Sequence, residues 1–354
     1  MMKLIIFGLT VSSSWGNGHA TLWRGLCKAL AGAGHDVTFI ERDVPYYANH
    51  RDLIWPETYK LILYPDWEEV ASVAKRLVRE TDVAIVTSYC PNACEASELV
   101  LNSSAVKVFY DLDTPVTLQQ VKKQGFAEYV PASGLAGFDL VLSYVGGRAL
   151  NDLQMLLGAG RVAALYGSVD PAVHKPVPPS RPYLSDLSYL GTYAPDRQAS
   201  LQELFLRPAK VLQQQRFVLG GVQYPQDFPW EENVWFVRHV PPPQHASFYC
   251  SSRATLNVTR AAMAGTGFCP SGRLFEAAAC ETPIITDCWP GLDLFFAPGK
   301  EIFVANTSRD VVDALSLSRE ELRCMGRAAR ERVLATHTAE HRSRELTNLL
   351  EAVA

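Results

Sequence analysis

The chain has 354 residues, 48% of them hydrophobic and 20% charged, with a formal net charge of -4. This composition is typical of a globular protein with room for two domains, and the charge argues against a nucleic-acid partner because no basic excess is available for phosphates. No apolar run approaches the roughly 20 residues that cross a bilayer, so we predict no transmembrane segment. The first apolar run ends at Gly8, too short for a signal peptide, and no C-x-x-C pair occurs, so we expect a cytoplasmic protein with reduced thiols.

The first predicted strand is the apolar run Leu4 to Phe7, and apolar residues at helical spacing predict a helix from Leu22. The loop between them ends in WGNGH, at His19, and lacks the G-x-G-x-x-G that holds a dinucleotide pyrophosphate. This counts against a nicotinamide-dependent oxidoreductase, although Glu41 ends the second predicted strand roughly where a ribose-binding acid belongs. His19 is either a general base, since a neutral imidazole can accept a hydroxyl proton, or a residue that bonds its own loop.

Predicted strands and helices alternate twice along the chain. The first series of strands lies near residues 4–7, 37–40, 61–64, 83–87, 106–110, 140–143 and 162–166. The second series lies near residues 187–190, 217–219, 234–237, 255–258, 283–286 and 301–304. Between them, five prolines in the thirteen residues of DPAVHKPVPPSRP predict a stiff linker without a regular element. The alternation predicts an α/β fold of two parallel sheets, with a ligand cleft where the carboxyl ends of both sheets meet.

Several sequence blocks resemble one known family. They include SSWGNGHATLWRGL, FYDLDTPVTL, LSYVGGRAL, YLGTYAPDRQ, TLNVTRAAM and SGRLFEAAACETPIITDCWPGLDLFFAPGKEIFVA, and they extend from Ser13 to about His341. Together they resemble the CgeB-like (spore maturation) glycosyltransferases of the GT-B superfamily. The resemblance implies two Rossmann-like domains facing each other across a cleft, and transfer of a sugar from a nucleotide-diphosphate donor, with a UDP-hexose favoured. It implies no cofactor and no metal ion, and an acceptor hydroxyl on an unidentified glycan, protein or small molecule.

The resemblance also assigns roles to the parts of the chain. Residues 1–170 are expected to form an acceptor-binding domain, 171–186 a linker and 187–337 the nucleotide-sugar-binding domain. Residues 338–354 are expected to form a C-terminal helix that packs back on the N-terminal domain.

The predicted donor site centres on a helix start. Ser271, Gly272 and Arg273 open this helix and Leu274 continues its first turn, so free backbone N–H groups and a guanidinium suit a diphosphate. Glu276 lies about one turn further on, where a carboxylate can take both hydroxyls of a ribose. The alternative is an ordinary helix ion pair between Arg273 and Glu276.

Other predicted donor contacts follow strand ends, where ligands of parallel sheets bind. They are Gly191, Thr192, Tyr193, Arg197, His239, Val240 and Arg260. A plain strand–helix turn with a surface arginine is the alternative for the first four. His239 either contacts the base or is a satisfied structural histidine, and Arg260 meets phosphate or acceptor.

The stretch FYDLDTPVT places Asp111 and Asp113 after another strand. Three interpretations stay open: the metal-binding D-x-D motif of GT-A glycosyltransferases, acceptor binding or catalytic assistance, and helix capping by Asp113 or Thr114. We predict that Asp111 and Asp113 are catalytic or the alternative bases to His19, and that no metal is bound.

One departure from the family pattern concerns stereochemistry. Retaining GT-B enzymes of the commonest class carry two glutamates eight positions apart, and Phe268 stands eight positions before Glu276. This favours inversion of configuration. A sugar-nucleotide epimerase of the same fold and an NAD(P)-dependent oxidoreductase are the alternative functions.

Overall fold

The computed structural model describes all 354 residues and divides them into two compact units. The first unit comprises Met1–Ser14, His19–Tyr166 and Ala339–Ala354, and the second comprises Trp15–Gly18 and Gly167–Thr338. The C-terminal segment therefore belongs to the first unit, and the proline-rich segment belongs to the second.

The first unit contains a seven-stranded sheet. Its strands are β1 (Lys3–Phe7), β2 (Asp36–Arg42), β3 (Lys60–Tyr64), β4 (Val83–Thr87), β5 (Val106–Asp111), β6 (Leu140–Ser143) and β7 (Val162–Ala164). All neighbours pair in parallel, in the order β3-β2-β1-β4-β5-β6-β7. The central strands are buried along most of their length because helices cover both faces of such a sheet, which explains why they are continuous apolar runs.

The second unit repeats this plan with six strands. They are β8 (Ser185–Leu190), β9 (Phe217–Gly220), β10 (Val234–Val237), β11 (Ser252–Asn257), β12 (Ile284–Thr286) and β13 (Phe303–Val304). The order β10-β9-β8-β11-β12-β13 is again wholly parallel. Both sheets thus have the doubly wound strand order, with reversals between β1 and β4 and between β8 and β11. The predicted α/β fold is confirmed, and all thirteen predicted strands are present with ends that shift by three positions or fewer.

Fourteen α-helices connect and cover the strands. They are α1 (His19–Gly32), α2 (Pro45–Ala48), α3 (Trp67–Arg79), α4 (Ala93–Leu101), α5 (Thr114–Gln124), α6 (Arg148–Leu157), α7 (Gln198–Leu201), α8 (Arg207–Val211), α9 (Pro242–Cys250), α10 (Ala261–Thr266), α11 (Gly272–Ala279), α12 (Ser308–Ser316), α13 (Arg319–Thr336) and α14 (Ala339–Glu351). Short 3-10 helices lie at Arg181–Tyr183, Pro195–Arg197 and Leu292–Leu294, and a π-helical turn at Gln202–Leu206 joins α7 to α8.

Local sequence explains both the buried faces of these helices and where some of them begin. In α3, Val70, Ala74 and Val78 recur every fourth residue and form the buried face. A capping box between Ser318 and Glu321 begins α13. The prediction that the proline-rich segment holds no regular element is wrong at Arg181–Tyr183, because proline is tolerated in the first turn of a helix. No helix is both long and apolar enough to span a lipid bilayer.

Candidate active site

The strand order of the second sheet reverses between β8 and β11, which opens a crevice at their carboxyl ends. Arg273, in the first turn of α11, reaches both strand ends. Its Nη1 donates to the carbonyl of Leu190 at 3.0 Å and its Nη2 to that of Val258 at 2.9 Å. The guanidinium carbon lies 5.3 Å from the ring centre of Tyr189, and Nε donates to Ser271 Oγ at 3.0 Å. Arg273 therefore anchors the crevice, and its three guanidinium nitrogens donate to groups other than Glu276, the partner in the alternative interpretation.

Two more guanidinium groups lie near Arg273. The Arg197 Nη1 donates to the carbonyl of Thr192 at 2.9 Å, while its buried Nε has no hydrogen-bond partner. Arg260 pairs with Asp196 at 3.1 Å. Burial lowers the pKa of Arg197, and the positive charges of Arg273 and Arg260 act in the same direction. Three like charges concentrated at a strand-end crevice favour a polyanionic ligand.

The backbone beside this charge cluster is packed too closely for side chains. A Cβ atom on Gly191 would lie 2.7 Å from the Tyr189 hydroxyl and 3.0 Å from Arg273 Nη1. Gly221 has a φ of +155°, and a Cβ there would lie 2.0 Å from the Gly191 carbonyl oxygen. The Tyr224 hydroxyl donates to that same oxygen at 3.1 Å. Glycine at positions 191 and 221 thus permits the close packing of these two strand ends against each other and against Tyr189 and Arg273.

Glu276, on α11, is 6% exposed and lies among three polar side chains. The Tyr249 hydroxyl donates to Oε2 at 3.2 Å. His245 Nδ1 lies 3.6 Å from Oε2 and His174 Nε2 lies 3.8 Å from Oε1. His245 Nε2 also lies 3.0 Å from the Val240 carbonyl oxygen. Burial lowers the pKa of His174, so its imidazole is neutral at pH 7.

The other predicted donor residues occupy varied positions. Gly272 begins α11, and Leu274 is fully buried with its N–H donating to the Ser271 carbonyl, so only its backbone is near the helix start. Tyr193 packs on Tyr224, with ring centres 5.4 Å apart. The His239 ring lies 4.7 Å from that of Trp15, which also belongs to the second unit.

In the first unit, the predicted bases lie at the carboxyl edge of the sheet. His19 is the first residue of α1, and its ring centre lies 6.4 Å from that of Tyr144. Asp113 accepts a hydrogen bond from the Tyr89 hydroxyl at 3.0 Å. Burial lowers the pKa of His19, and the charge of Asp113 opposes that shift. The structure therefore brings a neutral imidazole near a carboxylate, which suits a group that gains a proton during reaction.

Asp111 ends β5 and is fully buried. Its Oδ1 accepts hydrogen bonds from the Thr117 hydroxyl at 2.9 Å and the Asp113 N–H at 3.2 Å, whereas its Oδ2 has no partner. Burial raises the pKa of Asp111 to about 6, against the opposing effect of these hydrogen bonds. Asp113 occupies the N-cap position of α5, but its side chain makes no capping hydrogen bond. Simple helix capping therefore does not explain the pair.

Glu41 lies near the end of β2 and contacts the loop after β1. Its carboxylate accepts the N–H groups of Val11 at 2.7 Å and Ser12 at 3.0 Å, and also the hydroxyls of Thr10 and Ser12. With these four donors, Glu41 holds the loop after β1 against β2, so the feature that suggested a dinucleotide ribose has a structural explanation.

Several residues that surround Glu276 and Asp113 in the structure are not indicated by the sequence. His174 falls in the segment interpreted as a linker, and His245 and Tyr249 lie in the stretch PPPQHASFY, where only the preceding strand end attracted attention. Tyr89 follows β4 with a φ of +62°, a strained conformation for a tyrosine that sequence does not reveal. Phe268, at the position of the missing glutamate, has a φ of +50°.

Comparison with known proteins supports the same architecture. A protein family described as glycosyl transferase-like matches residues 197–348, and no curated protein sequence matches the chain. Sucrose-phosphate synthase from Thermosynechococcus elongatus is 15% identical with a TM-score of 0.70, covering 100% of this chain and 99% of that one. An alpha-glucosyltransferase solved with UDP-glucose and DNA containing an abasic site is 13% identical with a TM-score of 0.71, covering 99% of both chains.

Anabaena HepE, solved with UDP-glucose, is 11% identical with a TM-score of 0.64, and the match covers 99% of this chain and 100% of that chain. Identities this low establish the fold alone. With two parallel sheets in the doubly wound order, the chain has the GT-B fold of two Rossmann-like domains.

Proposed function

Since the chain has the GT-B fold, we propose that it is a glycosyltransferase that binds a nucleotide-diphosphate sugar and transfers the sugar to an acceptor hydroxyl. The observation that carries the proposal is the cluster of Arg197, Arg260 and Arg273 at the crevice of the second sheet. All three lie within the region that matches the glycosyl transferase-like family. A UDP-hexose is the favoured donor because two similar structures were solved with UDP-glucose. On the sequence blocks, we also propose membership of the CgeB-like family.

The second unit supplies the charges that a leaving diphosphate requires. The buried Nε of Arg197 is a donor without a partner, and a phosphate oxygen would satisfy it. The start of α11 adds backbone N–H groups beside Arg273. As the bond between the sugar and the phosphate oxygen breaks, its electrons pass to the diphosphate, and the guanidinium charges stabilise them. We propose a metal-independent transfer because arginine supplies this positive charge.

Glu276 is proposed to accept the hydroxyls of the donor ribose. The carboxylate is held in place by Tyr249 and lies on the same helix as Arg273, one turn further on. A nucleotide should therefore lose more affinity than pyrophosphate does when this carboxylate is replaced.

The first unit is proposed to supply the base. The acceptor hydroxyl forms a new bond to the anomeric carbon and gives its proton to the neutral imidazole of His19, whose positive charge the Asp113 carboxylate then offsets. Asp111 is the alternative base because its raised pKa, about 6, is closer to neutral pH than that of an ordinary carboxylate. Inversion is favoured because Phe268 replaces the first glutamate of the retaining pattern.

The acceptor is proposed to be a hydroxyl of a glycan, a protein or a small molecule. One similar enzyme was solved with DNA, but the net charge of -4 here provides no basic excess for a polyanionic acceptor.

Donor binding is tested by calorimetry and thermal unfolding with UDP, UDP-glucose and pyrophosphate. A donor at 100 times its Kd should stabilise the protein by about 2.7 kcal/mol. Arg260→Ala should weaken all three ligands, and Glu276→Gln should weaken UDP but spare pyrophosphate. Arg309→Ala, on the exposed face of α12, is the matched control.

Three results would decide against the proposal. The donor site is misplaced if Arg260→Ala and Glu276→Gln both bind UDP like wild type. Release of UDP without any acceptor, together with an isomerised sugar, would indicate an epimerase instead. Quenching of protein fluorescence by NADH but not by UDP would favour an oxidoreductase.

A further inference from the structure

His174, His245 and Glu276 form a buried cluster, and the proposed transfer gives a role to Glu276 alone. Their side chains are 3%, 13% and 8% exposed, respectively. They come from three separate segments: the proline-rich stretch before β8, helix α9 and helix α11. Neither ring nitrogen of His174 has a hydrogen-bond partner, nor has His245 Nδ1. Buried polar atoms without partners are costly, and a bound ion is one way to satisfy them.

The hydrogen bond of His245 determines which of its nitrogens is available. Its Nε2 lies 3.0 Å from the Val240 carbonyl oxygen, which only accepts, so Nε2 must carry a proton. In the neutral imidazole, Nδ1 then has no proton and can only accept a hydrogen bond. It lies 3.6 Å from a Glu276 oxygen that also only accepts. Two acceptors facing each other in a buried site require a positive charge between them, either a proton or a metal ion.

The arrangement has the features of a protein metal site. Ligating histidines commonly donate their other N–H to a backbone carbonyl, as His245 does, and ligating carboxylates are themselves hydrogen-bonded, as Glu276 is by Tyr249. The candidate ligand atoms of the three residues all lie within 4.8 Å of one another. Tetrahedral zinc with bonds of about 2.0–2.1 Å needs ligand atoms roughly 3.4 Å apart. The observed 3.6 Å and 3.8 Å join the two histidines to different oxygens of Glu276, so binding of one ion requires the three side chains to move closer together.

We propose that His174, His245 and Glu276 bind a divalent transition-metal ion, with Zn²⁺ as the ion that two imidazoles and a carboxylate suit best. Three protein ligands leave a fourth position for water. The ion ties the proline-rich segment to α9 and α11, so it stabilises the second unit. The inference goes beyond the proposed transfer and shares only Glu276 with it, whereas His174 and His245 have no part in that transfer.

The test uses the full chain without an affinity tag. Metal is first removed with a chelator, and Zn²⁺ affinity is then measured by competition with a chromophoric chelator. We expect about one ion per chain, a higher melting temperature with Zn²⁺, and at least about 100-fold weaker binding in His174→Gln and in His245→Gln. His50→Gln, which removes an exposed imidazole from the first unit, should bind Zn²⁺ like wild type. Circular dichroism checks that each variant is folded, and the partly exposed His245 provides a second variant if His174→Gln does not fold.

Co²⁺ distinguishes this site from the free cysteines, several of which are exposed. The Co²⁺ protein should show the absorption of tetrahedral nitrogen and oxygen ligation without the near-ultraviolet band that a thiolate ligand adds. A thiolate band, no bound metal, or equal Zn²⁺ affinity in wild type and both folded variants would overturn the proposal. UDP binding is measured in parallel in the presence of chelator. Zn²⁺ binding without UDP binding would contradict only the proposed transfer, and the reverse result would contradict only the metal site.

Discussion

Replacing Asp111 with asparagine tests whether the first unit stores a destabilising charge at its candidate site. The carboxyl is fully buried, and one of its oxygens has no hydrogen-bond partner. Because burial raises its pKa from 3.8 to about 6, the folded protein holds this proton at pH values where the unfolded chain has released it. Stability therefore falls as the pH rises through this window, and it is constant with respect to this group above and below it.

The magnitude follows from the two pKa values. Ionisation of Asp111 lowers the free energy of unfolding by about 1.6 kcal/mol at pH 5 and by about 3 kcal/mol at pH 8, relative to the fully protonated state. Asparagine has no such ionisation but places a buried amide N–H₂ where the unpartnered oxygen was, at a cost that does not change with pH. The difference in stability between Asp111→Asn and wild type should therefore shift by about 1.4 kcal/mol in favour of the variant between pH 5 and pH 8.

Hydrogen exchange in urea provides the measurement, because peptides that cover β5 report the unfolding of the first unit separately from that of the second. Comparing the two proteins at the same pH removes the intrinsic pH dependence of exchange. Glu57→Gln removes an exposed carboxylate before β3 and serves as the control. A stability difference that is the same at pH 5 and pH 8 would refute the buried-charge reasoning, whatever its absolute size. Loss of transfer activity in the stabilised variant would support a catalytic role for Asp111.

Three further predictions concern the candidate base of the first unit and the arginine-lined crevice of the second unit. His19→Ala should lower kcat by about 10²–10⁴-fold with nearly unchanged donor affinity, and remove the acidic limb of the pH–rate profile, which lies below the ordinary histidine pKa of 6.5. Unchanged kcat would move the base to Asp113 or Asp111. Gly191→Ala should cost about 1–3 kcal/mol of stability by urea unfolding, because its Cβ would lie 2.7 Å from the Tyr189 hydroxyl. Wild-type stability would mean that the tyrosine moves freely. Arg273→Lys keeps the charge but loses the fork that bonds two strand ends, so it should weaken UDP by roughly 1.5–3 kcal/mol in calorimetry, and equal affinity would argue against an anchoring role.

The folding pattern of this chain is strongly encoded in local sequence. Buried parallel strands appear as short apolar runs, such as Val83–Thr87, and amphipathic helices such as α3 show apolar residues at helical spacing. Both signals arise from neighbours within a few residues, so the alternation of strands and helices, and hence two parallel sheets, followed without a structure. The position of Gly191 directly after β8 has a local cause too, since a tight turn limits side chains.

The chemistry of the clusters depended on contacts between distant segments. Nothing near Arg273 in the sequence shows that its guanidinium donates to the carbonyls of Leu190 and Val258. The sequence also does not show that its charge lies close enough to lower the pKa of Arg197. Glu41 has the position of a ribose ligand in sequence, yet the loop after β1 folds back to occupy its carboxylate. His174 appeared to lie in a linker, although chain packing brings its imidazole to Glu276. Hydrogen bonds, desolvation and charge act through space over a few ångströms, so pKa values and ligand sets were decided only when strand order and helix packing brought these residues together.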